Sequence, residues 1–260
     1  MLLYSGYNIH GSGRLMQGYE DMSTVAIDIG NAIELSHISD PAREEYRMEL
    51  DTRFTEAWPQ FHKYKRLEDA WYIISEITMN THCGTHIEFP YHHVREGQDA
   101  AEYPLSRLIG EGVVIDISRW RGNNSKITLP ELKAAAAGKI QPGDMAFFYT
   151  GNDAYYYTDQ QHDRPWFTTE CIEWLAHGIG IKLMGVDTSG HELRGEDGGP
   201  VPGQPNHELL LGANVALIEY LTNLDKLLGK RFLAFVLPVR IKGAEAFPVR
   251  VVAFEQEPAT

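Results

Sequence analysis

Residues His82–His93 spell HCGTHIEFPYHH, which places four histidines and a glutamate within twelve residues. Imidazole nitrogens and carboxylate oxygens are the usual protein ligands of zinc, manganese and iron. A solvated histidine-rich loop is the alternative, but five potential ligands in so short a stretch favour a metal site. The stretch therefore predicts that His82, His86 and Glu88 bind a metal ion together.

The backbone of this stretch is also predictable from its neighbours. Residues Trp71–Met79 (WYIISEITM) are rich in β-branched and aromatic side chains and predict a strand that leads into it. Pro90 fixes its own φ just beyond Glu88, which favours an extended or turn conformation over a helix. In an extended chain His86 and Glu88 lie two residues apart, so their side chains point to the same side.

Further along the chain, short apolar runs alternate with helical patterns. The runs GVVIDI, MAFFY and KLMGVD predict strands, and the segments between them have the caps and stops of helices. Such alternation is typical of an α/β fold with a sheet and flanking helices. The predicted strands are Gly112–Ile117, Met145–Tyr149 and Lys182–Asp187, and the predicted helices are Leu129–Ala137 and Thr168–His177.

The two ends of the chain receive less regular predictions. We expect strands at Val215–Leu221, Phe232–Val239 and Phe247–Phe254, and an irregular or partly helical segment at Asp40–Arg66. Residues 1–22 are rich in glycine and tyrosine with little periodicity, which predicts an N-terminal extension. No linker divides the remainder, so residues 23–260 are predicted to form one domain.

Composition excludes several classes of protein. The 260 residues contain 23 Lys and Arg against 36 Asp and Glu, a net charge of −13, which disfavours binding to nucleic acid or to an anionic membrane. Two cysteines are too few for a disulfide framework. The sequence has no apolar run of membrane-spanning length and no secretory signal pattern, so we expect a cytoplasmic protein.

The His82–His93 stretch resembles the H-x-G-T-H-x-D-x-P-x-H signature of the cyclase-type metal-dependent hydrolases, a family that includes bacterial kynurenine formamidases and isatin hydrolases. Several later blocks are similar to the family's pattern in the family's order, and together they extend over roughly residues 80 to 254. They are GVVIDIS, QPGDMAFFYTG, IKLMGVDTSG, NHELLLGANVALIEYLTNLDKL and FLAFVLPVRIKGAEAFPVRVVAFE. The resemblance implies a single swivelling β/β/α-like domain with a mixed sheet.

The resemblance also implies roles for individual residues. It implies that His82 and His86 bind a first metal ion, and that His92 is the general acid and base. It implies that His207 binds a second metal ion and that Glu219 is a carboxylate that bridges the two. On one straight helix, His207 and Glu219 would lie about 120° apart, so the chain must change direction between them for both to reach one site.

Glu88 departs from the family's pattern, because the resemblance places a bridging aspartate at this position. The additional methylene moves the carboxylate outward by more than about an ångström. Three outcomes are open: two ions in a slightly expanded geometry, a single ion, or an altered metal preference.

Some neighbouring polar residues have no assigned ligand position. His191 and Glu192, in the run SGHEL, are candidates for groups that face the substrate or support a ligand. Asp187 ends a predicted strand, where α/β proteins often place site residues, and a capping role is the alternative. The run Tyr155–Tyr157 is expected to cross the site or to lie at a subunit edge.

The resemblance implies a hydrolase that uses Zn²⁺ or Mn²⁺, one or two ions per chain, to cleave a non-peptide amide C–N bond in a small molecule. Aryl formamides and cyclic amides are the expected substrates. A lactone or ester hydrolase is the alternative enzyme, because an activated water attacks either carbonyl. A catalytically silent metal-binding protein is the alternative outside the enzymes. Relatives form symmetric oligomers, so a homodimer or homotetramer is expected.

Overall fold

The computed structural model describes residues 29–122, 125–195 and 198–256. The predicted extension at 1–22 lies outside these residues. The strands are β1 Ile33–Glu34, β2 Met48–Phe54, β3 Ile73–Met79, β4 His86–Glu88, β5 Ile109–Asp116, β6 Lys126–Ile127, β7 Met145–Tyr149, β8 Trp166–Phe167, β9 Leu183–Val186, β10 Ala216–Glu219, β11 Arg231–Val236, β12 Ala246–Pro248 and β13 Val251–Glu255. The α-helices are α1 Leu105–Leu108, α2 Leu129–Ala136, α3 Thr169–Glu173 and α4 Pro205–Gly212.

Nine of these strands form one mixed sheet in the order β1-β13-β11-β5-β7-β9-β10-β4-β12. The four central strands β5, β7, β9 and β10 are parallel to one another, and the pairs on either side of them are antiparallel. Helices connect parallel strands, whereas short turns suffice for antiparallel ones. The α/β fold class predicted from the sequence is therefore confirmed.

The sheet is buried on both faces. Val113 and Ile115 of β5 pack with helices α2, α3 and α4, while Val114 between them faces the opposite core. Phe147 and Phe148 of β7 divide between the two cores in the same way. On the side of Phe147 the core is completed by residues from both outer parts of the sheet, so the curled sheet encloses it. Burial on both faces explains why the central strands are continuous apolar runs.

The individual elements correct the sequence predictions in three places. Asp40–Arg66 contains strand β2, which the sequence prediction missed. Phe247–Phe254 is not one strand, because β12 and β13 are separated at Val249–Arg250. Thr168–His177 changes from the α-helix α3 into a π-helix at Trp174–Ile179. In the described part of the chain, no helix is long and apolar enough to cross a membrane.

Strands β2 and β3 form a separate two-stranded ribbon, here called the β2–β3 ribbon, in which Met48 pairs with Met79 and Phe54 with Ile73. Because directly opposed residues share a face, one face of the ribbon is apolar and the other carries the charged side chains. The apolar face is open to solvent in the described protomer: Leu50 is 53% exposed and its partner Ile77 is 60% exposed. Its members are Met48, Leu50, Phe54, Ile73, Ile77 and Met79, with the hydrogen-bonded pair Thr52 and Ser75 at the centre.

Close packing of β9 against β7 depends on a glycine. A Cβ at Gly185 would lie 2.6 Å from Phe147 Cδ1 and 2.7 Å from Leu221 Cδ1, both fully buried. We expect Gly185→Ala to lower the free energy of unfolding by about 1–3 kcal/mol, as overpacked cores do. Urea denaturation measures this change. Gly212→Ala is the control, because no described heavy atom lies within 4 Å of its Cβ position and alanine favours helix. Equal stability of both variants would contradict the packing argument.

Candidate metal centre

The pairing of β4 with β10 brings three predicted ligands to one face of the sheet. The register places His86 directly opposite Glu219. Glu88 follows His86 by two residues on the same strand, so its side chain shares that face. His86, Glu88 and Glu219 are all buried. The same-side arrangement that the sequence predicted for His86 and Glu88 is therefore present.

The two remaining predicted ligands come from turns. His82 lies in the turn before β4. Gly84 in this turn has a φ of +62°, and a Cβ at this position would clash with the Ser39 hydroxyl, so the turn requires a glycine here. His207 is the third residue of α4, and the chain turns back through Asn214 before β10 delivers Glu219. This change of direction is the one needed to bring His207 and Glu219 together.

The carboxylates of Glu88 and Glu219 each lie between two histidine groups, which are His82 with His86 on one side and His207 on the other. Glu88 Oε1 is 3.3 Å from His82 Nε2 and 3.7 Å from His86 Nε2, while Glu88 Oε2 is 3.6 Å from His207 Nε2. Glu219 repeats the arrangement, with Oε2 at 3.7 Å from His86 Nε2 and Oε1 at 3.6 Å from His207 Nε2. Both carboxylates therefore present one oxygen to each side.

These distances suit metal ligands. With metal–nitrogen bonds of 2.0–2.1 Å, tetrahedral ligand atoms lie about 3.3 Å apart. The atoms that would bind are also unused: His82 Nε2, His86 Nε2 and Glu88 Oε2 are buried without a hydrogen-bond partner among the described residues. His86 Nδ1 donates to the Gly84 carbonyl at 2.9 Å, which leaves Nε2 with a lone pair. The residues present therefore fit one or two divalent cations.

The electrostatics of the centre reflect its burial. Burial by itself raises the pKa of Glu88, but the nearby imidazoles of His82 and His86 and the charge of His207 hold that pKa well below its usual range. Burial lowers the pKa of His207, and the carboxylates of Glu192 and Glu219 outweigh this effect and raise it to about 10. The Glu88 carboxylate is thus ionised and ready to bind a cation.

His92 lies at the edge of the centre. Its Nε2 is 3.9 Å from Glu88 Oε1, and its ring centroid is 4.9 Å from that of His82. Burial lowers the pKa of His92, although Glu88 acts in the opposite direction, so the ring is neutral near pH 7. Pro90–His92 is a 3₁₀ helix, and the ring of the following His93 stacks on that of His207 with 5.5 Å between the centroids.

One acidic residue, Glu192, supports the centre from behind. Glu192 accepts hydrogen bonds from His207 Nδ1 at 2.8 Å and from the backbone N–H of His207 at 3.0 Å. This pair orients the imidazole so that Nε2 faces the carboxylates. Asp187 instead accepts hydrogen bonds from Thr150 and Gly151, which is the capping role considered above. The sequence singles out Glu192 only through its place in the run SGHEL, because its partner His207 lies fifteen residues further along the chain.

A cavity of about 400 Å³ opens beside the centre. His82, His86 and Glu219 contribute to its wall, as do the polar side chains His162, Arg164, Ser189, Arg194 and Gln204. Tyr220 also lines it, and the ring of Tyr156 contacts Tyr220 at 5.4 Å between centroids. Tyr156, the middle residue of the Tyr155–Tyr157 run, therefore lies behind the cavity wall.

Known proteins share this sequence and fold. The family model described as Cyclase matches residues 27–192, more than half of the chain. A kynurenine formamidase of Erythrobacter litoralis is 28% identical over 70% of this chain and 77% of its own length. An isatin hydrolase of Roseibium aggregatum is 28% identical over 70% of this chain and 73% of its own length. The solved structure of isatin hydrolase A from Labrenzia aggregata superposes with a TM-score of 0.70 at 25% identity, covering 87% of this chain and 94% of that one.

The resemblance inferred from the His82–His93 stretch is thus confirmed, and so is the prediction of a hydrolase at the level of enzyme class. A structure described as a potential metal-dependent hydrolase with cyclase activity matches with a TM-score of 0.64 at 26% identity, covering 87% of this chain and 98% of its own. The chain belongs to the cyclase family of metal-dependent hydrolases.

Proposed function

We propose that this protein hydrolyses a non-peptide amide C–N bond, as in an aryl formamide or a cyclic amide, at a centre that binds Zn²⁺ or Mn²⁺. The observation that supports this most strongly is the placement of the carboxylates of Glu88 and Glu219, each with one oxygen toward each histidine group at 3.3–3.7 Å. In this proposal His82, His86, Glu88, His207 and Glu219 hold the metal.

The chemistry divides between the metal and His92. A bound divalent cation lowers the pKa of water toward about 7 and polarises the substrate carbonyl. His92 accepts the proton of the attacking water at Nε2 and returns it to the leaving nitrogen, so the ring ends neutral. Its neutral state near pH 7 suits the first of these transfers, and it lines a second cavity beside the centre, which gives it access to substrate.

We further propose that the protein is a homodimer or homotetramer in which two β2–β3 ribbons pack through their apolar faces. A two-stranded ribbon is at best marginally stable alone, and this one leaves Leu50 and Ile77 uncovered by any described residue of its own chain. A largely apolar face without charged side chains is complementary to a second copy of itself, as a twofold interface requires.

The first prediction concerns metal and substrate. Chelation should abolish hydrolysis, and added Zn²⁺ or Mn²⁺ should restore it, because in this proposal the bound metal lowers the pKa of the attacking water toward about 7. The assay compares an aryl formamide, a cyclic amide and a lactone at saturating metal. A preference for the lactone by orders of magnitude would replace the amide proposal by the esterase alternative, and full activity after complete metal removal would contradict both.

A second prediction separates the general base from the ligands. His92→Ala should lower kcat by about 10²–10⁴-fold, the usual contribution of general acid–base catalysis, while metal content stays at the wild-type level. Steady-state kinetics and elemental analysis measure the two quantities on the same sample. The matched control is His177→Ala, an exposed histidine on the helical side of the sheet. Loss of metal in the His92 variant would make this residue a ligand instead.

A third prediction tests the ribbon. Leu50→Lys with Ile77→Glu removes the apolar face but leaves oppositely charged partners across the two strands, so the ribbon itself is retained. Light scattering should show this double variant at the subunit mass of 29.4 kDa and the wild type at a multiple of it. Thr78→Lys, on the charged face opposite Glu49, is the control. An oligomer that survives the double variant but dissociates when residues 1–28 are deleted would assign the interface to that segment.

A further inference from the structure

His191 is a buried histidine without a hydrogen bond. Its side chain is fully inaccessible to solvent, and neither Nδ1 nor Nε2 has a hydrogen-bond partner in the described ranges. Buried polar atoms are nearly always satisfied, because leaving one unpaired forfeits the hydrogen bond it would make with water. Two such atoms on one ring therefore indicate a binding role that the protein groups around it do not fill.

The ring of His191 faces ligands of the proposed centre. Its centroid is 4.6 Å from that of His207. One nitrogen of each imidazole and one oxygen of Glu219 all lie within 4.8 Å of one another, and all three residues are buried. His207 commits its Nδ1 to Glu192, so the nitrogen that it turns toward the carboxylates is Nε2.

The backbone beside His191 is shaped for this approach. Gly190 has a φ of +95°, and a Cβ at this position would lie 2.6 Å from Glu219 Oε1. Any side chain here would displace the Glu219 carboxylate, so the glycine lets the loop pass directly over that oxygen. The loop thereby delivers His191 to the side of the centre opposite His82 and His86.

We propose that His191 is a metal ligand, which together with His207, Glu219 and Glu88 Oε2 holds a second ion beside the one bound by His82 and His86. The proposal rests on the metal centre of the proposed function and extends it, because His191 has no counterpart among the ligand positions that the sequence resemblance implies. Two imidazoles and two carboxylate oxygens give the second ion a full set of four protein ligands. Glutamate at position 88 left three outcomes open, namely two ions, one ion or an altered metal preference, and this proposal corresponds to the first.

The experiment counts ions and needs no substrate. Chelated protein is titrated with Zn²⁺ by calorimetry, and the reconstituted protein is analysed for metal. The wild type should bind two ions per chain. His191→Phe keeps a ring of similar size but cannot ligate, so it should retain one tight ion and bind the other at least about 10-fold more weakly. His93→Phe is the control, because His93 also contacts His207 but already pairs its Nε2 with Gln204 at 3.0 Å.

A second variant gives a direct spectroscopic reading. In His191→Cys loaded with Co²⁺, a thiolate ligand should produce a sulfur-to-cobalt charge-transfer band that the wild type and the His93→Cys control lack. One ion per chain in the wild type, or two ions of unchanged affinity in His191→Phe together with no such band, would overturn the proposal. A chain that binds one ion and hydrolyses amides would leave the proposed function intact, whereas a chain that binds no metal ends both.

Discussion

The centre depends on two carboxylates, Glu88 and Glu219, held on neighbouring strands inside the protein. Ionised carboxylates taken out of water cost several kcal/mol each unless opposite charges or donors surround them. Here histidine nitrogens approach both of them within 3.7 Å, and the antiparallel ladder between β4 and β10 fixes their spacing. Because strands are rigid, the backbone rather than the side chains decides how far apart the ligands stand.

The loop that follows β9 supports the side of the centre where His207 lies. Asp187 fixes its beginning to the neighbouring Thr150–Gly151 turn, and Glu192 fixes His207 at the start of α4. Parallel strands commonly place functional loops at their carboxyl ends, and β9 is one of the four parallel strands of this sheet. The loop is therefore anchored at the carboxyl ends of the parallel strands, and through Glu192 it orients the His207 imidazole toward the carboxylates.

Glutamate at position 88 is compatible with this geometry. Its two oxygens lie 3.3 Å from His82 Nε2 and 3.6 Å from His207 Nε2, on opposite sides of the carboxylate. The carboxylate thus lies between His82 and His207 despite the longer side chain.

The sequence by itself determined the enzyme class and the fold class. His82–His93 is a dense local cluster, and the central strands are apolar because both faces of the sheet are buried, so local pattern was enough for each. Local pattern failed for β2. Its charged residues form one face of the β2–β3 ribbon, and its partner β3 begins about twenty residues further along the chain. Local pattern singled out Glu192 and His191 as candidates but did not identify their partner, since nothing near them in sequence indicates that they face His207. Only the tertiary structure decided those contacts, because they depend on which strands pair and on where the chain reverses between α4 and β10.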